Sequence, residues 1–464
     1  MFRALCRFSG RAEAALAFTL TLLVLSACGG GGGDPTPTPS TSPATPFAPS
    51  GEPSPPPPDT AYRFLYREFG ATQDVVWSVN PKDPSQREQI AAVPHREGWG
   101  VKPALSPDGK VLVYLSQPEG ALNENSSQAE AYAVDLETKE TTLLVKNVDL
   151  GFTPLWSPDG KSVYLRRYAG PEFLAADVII LNVDVPRKPK EGEATPTPTA
   201  TPAPGATPNP EPNVHVAIRD RVAHVLSFTP VGFSADGNAM YFIQIEGGTG
   251  GGTLLGAFDI PEAKRRWALE GQPTPPPEAP PTPVPAPLTK LVAQLSAQIA
   301  RDYDLSRDGN RLAFVVQDLV EGQFVQRAYV TDLISTASSA VPVSGLALGD
   351  HVQPRWHPDN ARVALGVVPG AGSAGSIALV PVAGGGGPSF LVGPRSGFDV
   401  AQAWAPDGAY LAVTSYGGRS LADPGTATLE LLSNAGHRIT LGAGADVEIL
   451  GWFQPPPSES PSPS

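Results

Sequence analysis

The densest grouping of side chains able to do chemistry is His351-Val352-Gln353-Pro354-Arg355-Trp356-His357, with two imidazoles, an amide and a guanidinium in seven residues. On a β-strand, alternation puts His351, Gln353, Arg355 and His357 on one face, where the imidazoles suit a metal ion or an acidic sugar. Pro354 works against such a strand, and His357 also fits a turn. A second set is six aspartates: Asp108, Asp159, Asp236, Asp308, Asp359 and Asp407. Each sits in the same short element, and repetition favours a structural turn, the carboxylate bonding its own backbone, over an ion site. The other histidines, His95, His215, His224 and His437, are scattered, and no Gly-x-Ser-x-Gly nucleophile elbow occurs. Glycine runs at 247–252, 370–375 and 384–387 lack a following Lys-Ser/Thr and read as loops rather than phosphate cradles. No catalytic set, cofactor or metal is assigned from these residues, and the expectation is a protein that is not an enzyme.

The cysteines say where the chain lives. Arg3, Arg7 and Arg11 precede an apolar stretch from Ala14 to Leu25, the layout of an export signal. A dozen apolar residues fall short of the ~20 that span a bilayer. The stretch ends in Leu25-Ser26-Ala27-Cys28, which resembles the lipobox of bacterial lipoprotein precursors. That resemblance implies cleavage before Cys28, a diacylglyceryl group on its thiol and a further acyl chain such as palmitate, enough for stable anchoring. Cys6 leaves with the signal, so no thiol remains for a disulfide or a cysteine metal site. The whole chain carries −13. Without the net +2 of Arg3, Arg7, Arg11 and Glu13 the mature chain carries −15, which argues against nucleic acid and anionic head groups as partners.

Composition divides the chain. Residues 1–27 are the signal, and 28–60 are the lipidated cysteine with a Pro/Thr/Ser-rich tether. Residues 61–454 are the folded domain, interrupted by Pro/Thr-rich tracts at 186–213 and 271–288 that are expected to be disordered. Residues 455–464 are a polar, proline-rich tail.

Internal repetition then fixes the architecture. An apolar residue followed by Ser-Pro-Asp-Gly, or a near copy, recurs six times around the aspartates named above, at spacings of 51, 77, 72, 51 and 48 residues. Subtracting the two proline tracts leaves one period of about 50, the size of a propeller blade. In each copy the fourth and sixth residues after the aspartate are apolar, as in Leu112 and Tyr114 or Leu411 and Val413, which predicts a strand with one buried face. Asn360 replaces glycine with the residue next most tolerant of left-handed backbone. Trp156, Trp356, Trp404 and Trp452 share one repeat position, where buried packing is expected. Phe64 and Tyr66 precede Leu112 and Tyr114 by 48 residues, and Trp452 follows Trp404 by 48. The chain therefore begins one strand into a blade and ends on the missing strand. The expectation is an all-β fold, a single β-propeller of seven blades, closed by pairing of the C-terminal strand with the N-terminal strands. Six blades result if that closing unit does not form.

Repeats of Trp-Ser-Pro-Asp-Gly followed by apolar-x-apolar over residues 62–454 resemble the WD40-like repeats of TolB-type β-propellers. The lipobox and this resemblance together imply an extracytoplasmic protein, lipid-anchored to a cell membrane or outer membrane, whose propeller binds a protein or cell-envelope glycan; the anchor is a departure from TolB itself. Related repeats also serve peptidases and lyases, so an envelope polysaccharide lyase or hydrolase is the alternative, and an extracytoplasmic sensor or assembly factor a third.

Overall fold

The computed structural model describes residues 57–118, 129–169, 175–183, 214–221, 229–245, 252–269, 289–343, 346–368, 376–383, 386–394, 396–443 and 447–455. Cys28, His224 and the tracts expected at 186–213 and 271–288 fall outside them. The described strands form seven antiparallel sheets. Blade 1 runs Val447–Phe453, Arg63–Glu68, Gln73–Asn80 and Asp83–Pro94, so it joins the last strand to the first three. Blade 2 runs from Lys102–Leu105 to Thr141–Val148, blade 3 from Leu155–Trp156 to Val214–Arg221, and blade 4 from Thr229–Phe233 to Thr289–Ser296. Blade 5 runs from Ala300–Leu305 to Ser338–Ala340, blade 6 from the broken pair Ala347–Leu348 and Arg355–Trp356 to Ser389–Phe390, and blade 7 from Phe398–Trp404 to Arg438–Ala443. First strands of neighbouring blades meet, 447–453 with both 102–105 and 398–404, and 300–305 with both 229–233 and 355–356, so these strands surround the axis.

The repeated element turns the chain from first to second strand in blades 2 to 7. Ser106 N donates to Val111 O at 2.8 Å, and Gly109 N donates to Ser106 O at 2.9 Å. The Ser106 hydroxyl donates to Asp108 Oδ1 at 2.7 Å and accepts from Val111 N, while Asp108 Oδ1 also accepts from Lys110 N. Gly109, Gly160, Gly237, Gly309 and Gly408 have φ of 67–72°, and Asn360 has 56°. Glycine adopts that region without steric cost, and asparagine tolerates it.

Each turn also seats against the preceding blade. A side chain at Gly309 would put its Cβ 2.5 Å from Ala235 N and 2.7 Å from Phe233 O, whereas at Gly160 the nearest atom lies at 3.9 Å. Gly160→Ala is therefore expected to cost only the ~1–2 kcal/mol of left-handed strain. Gly309→Ala adds a backbone clash and is expected to lose clearly more, read as the difference in urea midpoint between the two variants.

One expectation needs refinement. The strands after the turns are buried on both faces: Val111 to Ser116 is buried throughout, and Val163, Leu165, Ala364 and Leu365 are fully shielded. Blade packs on blade, so alternation records which neighbouring blade a side chain meets rather than core against solvent. A helix not foreseen in the sequence, α1 (Ile260–Leu269), follows the third strand of blade 4. Asp259 caps it by accepting from Glu262 N at 2.9 Å, Pro261 sits in its first turn, and Ile260 and Ala263 bury against Tyr164 and Phe258.

Candidate functional site

Strand direction gives the ring two distinct faces. The Ser-Pro-Asp-Gly turns lie on one, the turn face, and so do the links from third to fourth strand. The chain arrives on that face: Thr60 Oγ1 donates to Asp407 Oδ2 at 2.6 Å, Tyr410 OH donates to Pro58 O at 2.9 Å, and Lys82 pairs with Asp59. It also leaves there, since Phe453 abuts Gly109 of the blade 2 turn. Residues 183 and 214 flank one proline-rich tract, and 269 and 289 the other, in the links from third to fourth strand of blades 3 and 4. All four proline-rich segments of the sequence thus adjoin the described ring on the turn face. The opposite, loop face carries the links from second to third strand and from blade to blade.

The six aspartates sit in the turns. Asp236 is held below the ordinary carboxylate range by the Ser234 hydroxyl and the Asn238 amide. In Asp159, Asp308 and Asp359 burial pushes upward, but donors within the turn outweigh it and the carboxyl is lowered. Asp407 accepts from Ala409 N and from the arriving Thr60.

His351 and His357 are not brought together. His351 is buried on the loop side against Phe398, with ring centroids 4.6 Å apart, and its Nδ1 lies 3.4 Å from Asp350. His357 occupies the serine position of the blade 6 turn, edge-on to Trp404 at 4.6 Å and 3.0 Å from Asp359. Phe398 and Trp404 are six residues apart on one strand, about 20 Å at ~3.3 Å per residue. Gln353 accepts from Arg355, whose Nε donates to Gln402 O at 2.6 Å. Within 351–357 only Arg355–Trp356 is strand, so the alternating face expected from the sequence does not form. Among the described residues no group of three His, Cys, Asp or Glu is placed to hold a metal ion.

Burial holds both imidazoles below the ordinary histidine value; Asp350 opposes it weakly at His351, and Arg362 adds to it at His357. A buried neutral histidine leaves the unfolded chain to take the proton, so its contribution is lost as pH falls through ~6.5. His351→Leu is therefore expected to flatten the fall in stability between about pH 7 and pH 5, read from urea midpoints across that range.

The tryptophans lock neighbouring blades. The indole nitrogens of Trp156, Trp356 and Trp452 donate to Ala104 O, Asp304 O and Ala403 O, each on the preceding inner strand, at 3.0, 3.0 and 3.2 Å. Trp404 departs from this pattern: its indole nitrogen is buried without a hydrogen-bond partner, and its ring takes His357 instead.

Sequence reading missed a buried ionic cluster on the loop side of blade 1. Arg67 donates to Asp74 at 3.0 Å, to Val101 O at 2.6 Å and to Glu448 of the closing strand at 2.6 Å. Asp74 also meets His95 Nε2 at 3.0 Å, and His95 Nδ1 faces Arg96 O at 2.9 Å. An acceptor at each ring nitrogen favours the doubly protonated imidazole. Burial pulls its pKa down, but Asp74 and the Arg96 carbonyl outweigh that and raise it.

Two surface features are open to a ligand. On the turn face a cleft of about 330 Å³ lies between blades 3, 4 and 5, with Trp156, Phe233, Leu305, Asp304 and Arg307 in its lining. On the loop face the second and third strands of blade 5, Arg311–Val320 and Gln323–Asp332, are ten residues each, against six to eight in the other blades. Their tip bears Phe324 at 72 % and Leu319 at 63 % exposure, with Val320 and Val325 also exposed.

No protein-family model and no curated protein matches the chain. Among solved structures it is similar to TolB from Acinetobacter baumannii, at 13 % identity and TM-score 0.41 over 84 % of this chain and 66 % of that one. A prolyl endopeptidase matches at 13 % identity and TM-score 0.50, over 85 % of this chain and 49 % of that one. The β-propeller domain of the trilobed protease from Pyrococcus furiosus matches at 10 % identity and TM-score 0.43, over 83 % and 99 %. The chain thus spans just under two thirds of the TolB chain and about half of the endopeptidase. At these identities the likeness is one of fold, and the chain is a seven-bladed β-propeller with TolB and peptidase propellers among its structural neighbours.

Proposed function

We propose that this is a non-enzymatic, lipid-anchored envelope protein whose loop face binds a protein or glycan partner. The observation that carries the reading is the sidedness of the ring: chain arrival, chain exit and the described residues flanking both internal proline-rich tracts lie on the turn face, opposite the links of the loop face. Rigid blades with exposed links make a stable platform for recognition. The lipobox at Leu25 to Cys28 supports the anchor, and the tether supplies reach of roughly 3 Å per residue in extended polyproline geometry.

Two measurements test it. Cys28→Ser should abolish incorporation of labelled palmitate and release the protein from membranes. A photo-crosslinking residue at exposed Leu421, on the loop face, should capture an envelope component in intact cells, whereas one at Lys110, in a turn, should not. Capture from Lys110 alone would place the partner on the wrong face and sink the reading.

A further inference from the structure

Blade 5 presents an unpaired strand edge on the loop face. Inner-strand pairing ends at Ala300 opposite Val316, so residues 317–320 project beyond it. On the outer side the fourth strand pairs only with Tyr329, Val330 and Thr331, and Val341 N donates to Ala328 O at 2.9 Å. Between these limits the chain is a two-stranded ribbon that reverses at Glu321 and Gly322, with φ of 51° and 80°, the two-residue turn that suits a twisted hairpin. Because Ala328 O points outward, the period of two turns the main-chain amides and carbonyls of Phe324 and Gln326 outward as well. Among the described residues no strand pairs with them. An exposed apolar edge of this kind is a template for another strand, and edges not meant to pair are usually shortened, charged or bulged.

The residues along the edge say which strand fits. Antiparallel pairing with a second copy, centred on Phe324, sets Phe324 opposite Phe324 and Val325 opposite Gln323, with Gln326 and Arg327 running past the partner strand's start towards its Glu321-Gly322 turn. Apolar meets apolar at the centre, and at each end the long Arg327 side chain comes towards the oppositely charged Glu321 in the other copy's turn. Phe324 is an outward-bonding residue, so its pair exchanges two hydrogen bonds, and no partnered position of the outer strand is overrun. We infer that this propeller self-associates through the edge Gln323 to Arg327 of blade 5, as a two-fold dimer in which the two hairpins form one four-stranded sheet. The inference rests on the loop face being the interaction face, and it names a second copy of this chain as one partner of that face.

The interface is small, so the dimer is expected to be reversible, with a dissociation constant on the order of 10 μM. Sedimentation of the chain from Gly29 onward should pass from monomer to dimer through that range. Arg327→Glu should weaken association about tenfold or more, and adding Glu321→Arg should restore it by reversing both charges. Arg327 also pairs with Asp318 at 3.3 Å within the hairpin, so a second probe leaves that charge untouched. Phe324→Cys, in a chain with no other thiol after Cys28, should form a disulfide-linked dimer on mild oxidation, because directly opposed residues in a bonded pair lie ~5.5 Å apart. Leu319→Cys, on the inner strand of the hairpin, should crosslink far more slowly. A monomer throughout, a dimer indifferent to Arg327→Glu, or equal crosslinking at 319 and 324 overturns the inference. A monomer whose Leu421 crosslinker still captures another envelope component overturns the dimer while leaving the loop-face reading intact.

Discussion

Removing residues 447–455 should abolish cooperative unfolding of the whole ring, seen as loss of the near-ultraviolet dichroism and of a single thermal transition. Those residues supply the inner strand of blade 1, paired from Arg63 opposite Phe453 to Glu68 opposite Val447. They carry Trp452, which packs edge-on against Phe64 with ring centroids 5.1 Å apart, stacks near Tyr410 and donates to Ala403 O. Losing the strand uncovers Phe64 and Tyr66 and opens blade 7 on its other side. Truncating one large buried aromatic costs ~3–5 kcal/mol, and a typical domain holds only ~5–15 kcal/mol in total. Deleting Trp452 and Phe453 with a row of ladder hydrogen bonds therefore consumes the margin. The single change Trp452→Ala should fold but lose about 3–5 kcal/mol by urea denaturation. A truncated chain that melts within a few degrees of the intact one would show that closure contributes little.

Asp74→Ala is the second large effect, expected to cost about 3–5 kcal/mol because it strands the buried Arg67 guanidinium and takes from His95 the carboxylate that the two share. Its pH dependence separates this account from a simple loss of packing. In the intact protein the pKa of His95 is raised, so its contribution is complete below pH ~6.5 and fades as pH rises through the folded value. Without Asp74, burial dominates and the folded value drops below the unfolded one. The contribution is then lost as pH falls below ~6.5. The penalty of Asp74→Ala should therefore be larger at pH 5.5 than at pH 8. An equal penalty at both would defeat the electrostatic account.

What was legible in the sequence was local or periodic. The turns could be read because Ser, Asp and Gly bond within six residues, as in Ser106 to Val111, and need nothing distant. Seven blades and their closure followed from the phase of Phe64 and Trp452 against the repeat, and strand pairing reproduces it. Burial of the strands on both faces was not legible, because alternation does not distinguish solvent from a neighbouring blade. Nor was the separation of His351 from His357, which depends on the broken inner strand of blade 6 and on the opposite ends of the blade 7 strand they meet. The cluster of Arg67, Asp74, His95 and Glu448 joins residues up to 381 positions apart, and no spacing rule announces it. Helix α1 did have a local signal, Asp259-Ile260-Pro261-Glu262, a cap followed by proline within the first turn. The hairpin of blade 5 had one too, since Glu321-Gly322 divides two ten-residue segments rich in β-branched and aromatic residues.

Closure by residues 447–453 beside 63–68 makes the covalent starting point of this ring arbitrary. The described ring is entered at residue 57 and left at residue 455 on the same face, and residues 269 and 289, which flank a proline-rich tract, lie on that face as well. Joining residue 455 to residue 57 through a short polar linker and opening the chain between 269 and 289 would keep every strand pair. The ring is thus a natural host for circular permutation, able to take its N-terminal segment at blade 4 instead of blade 1 with both faces of the ring unchanged.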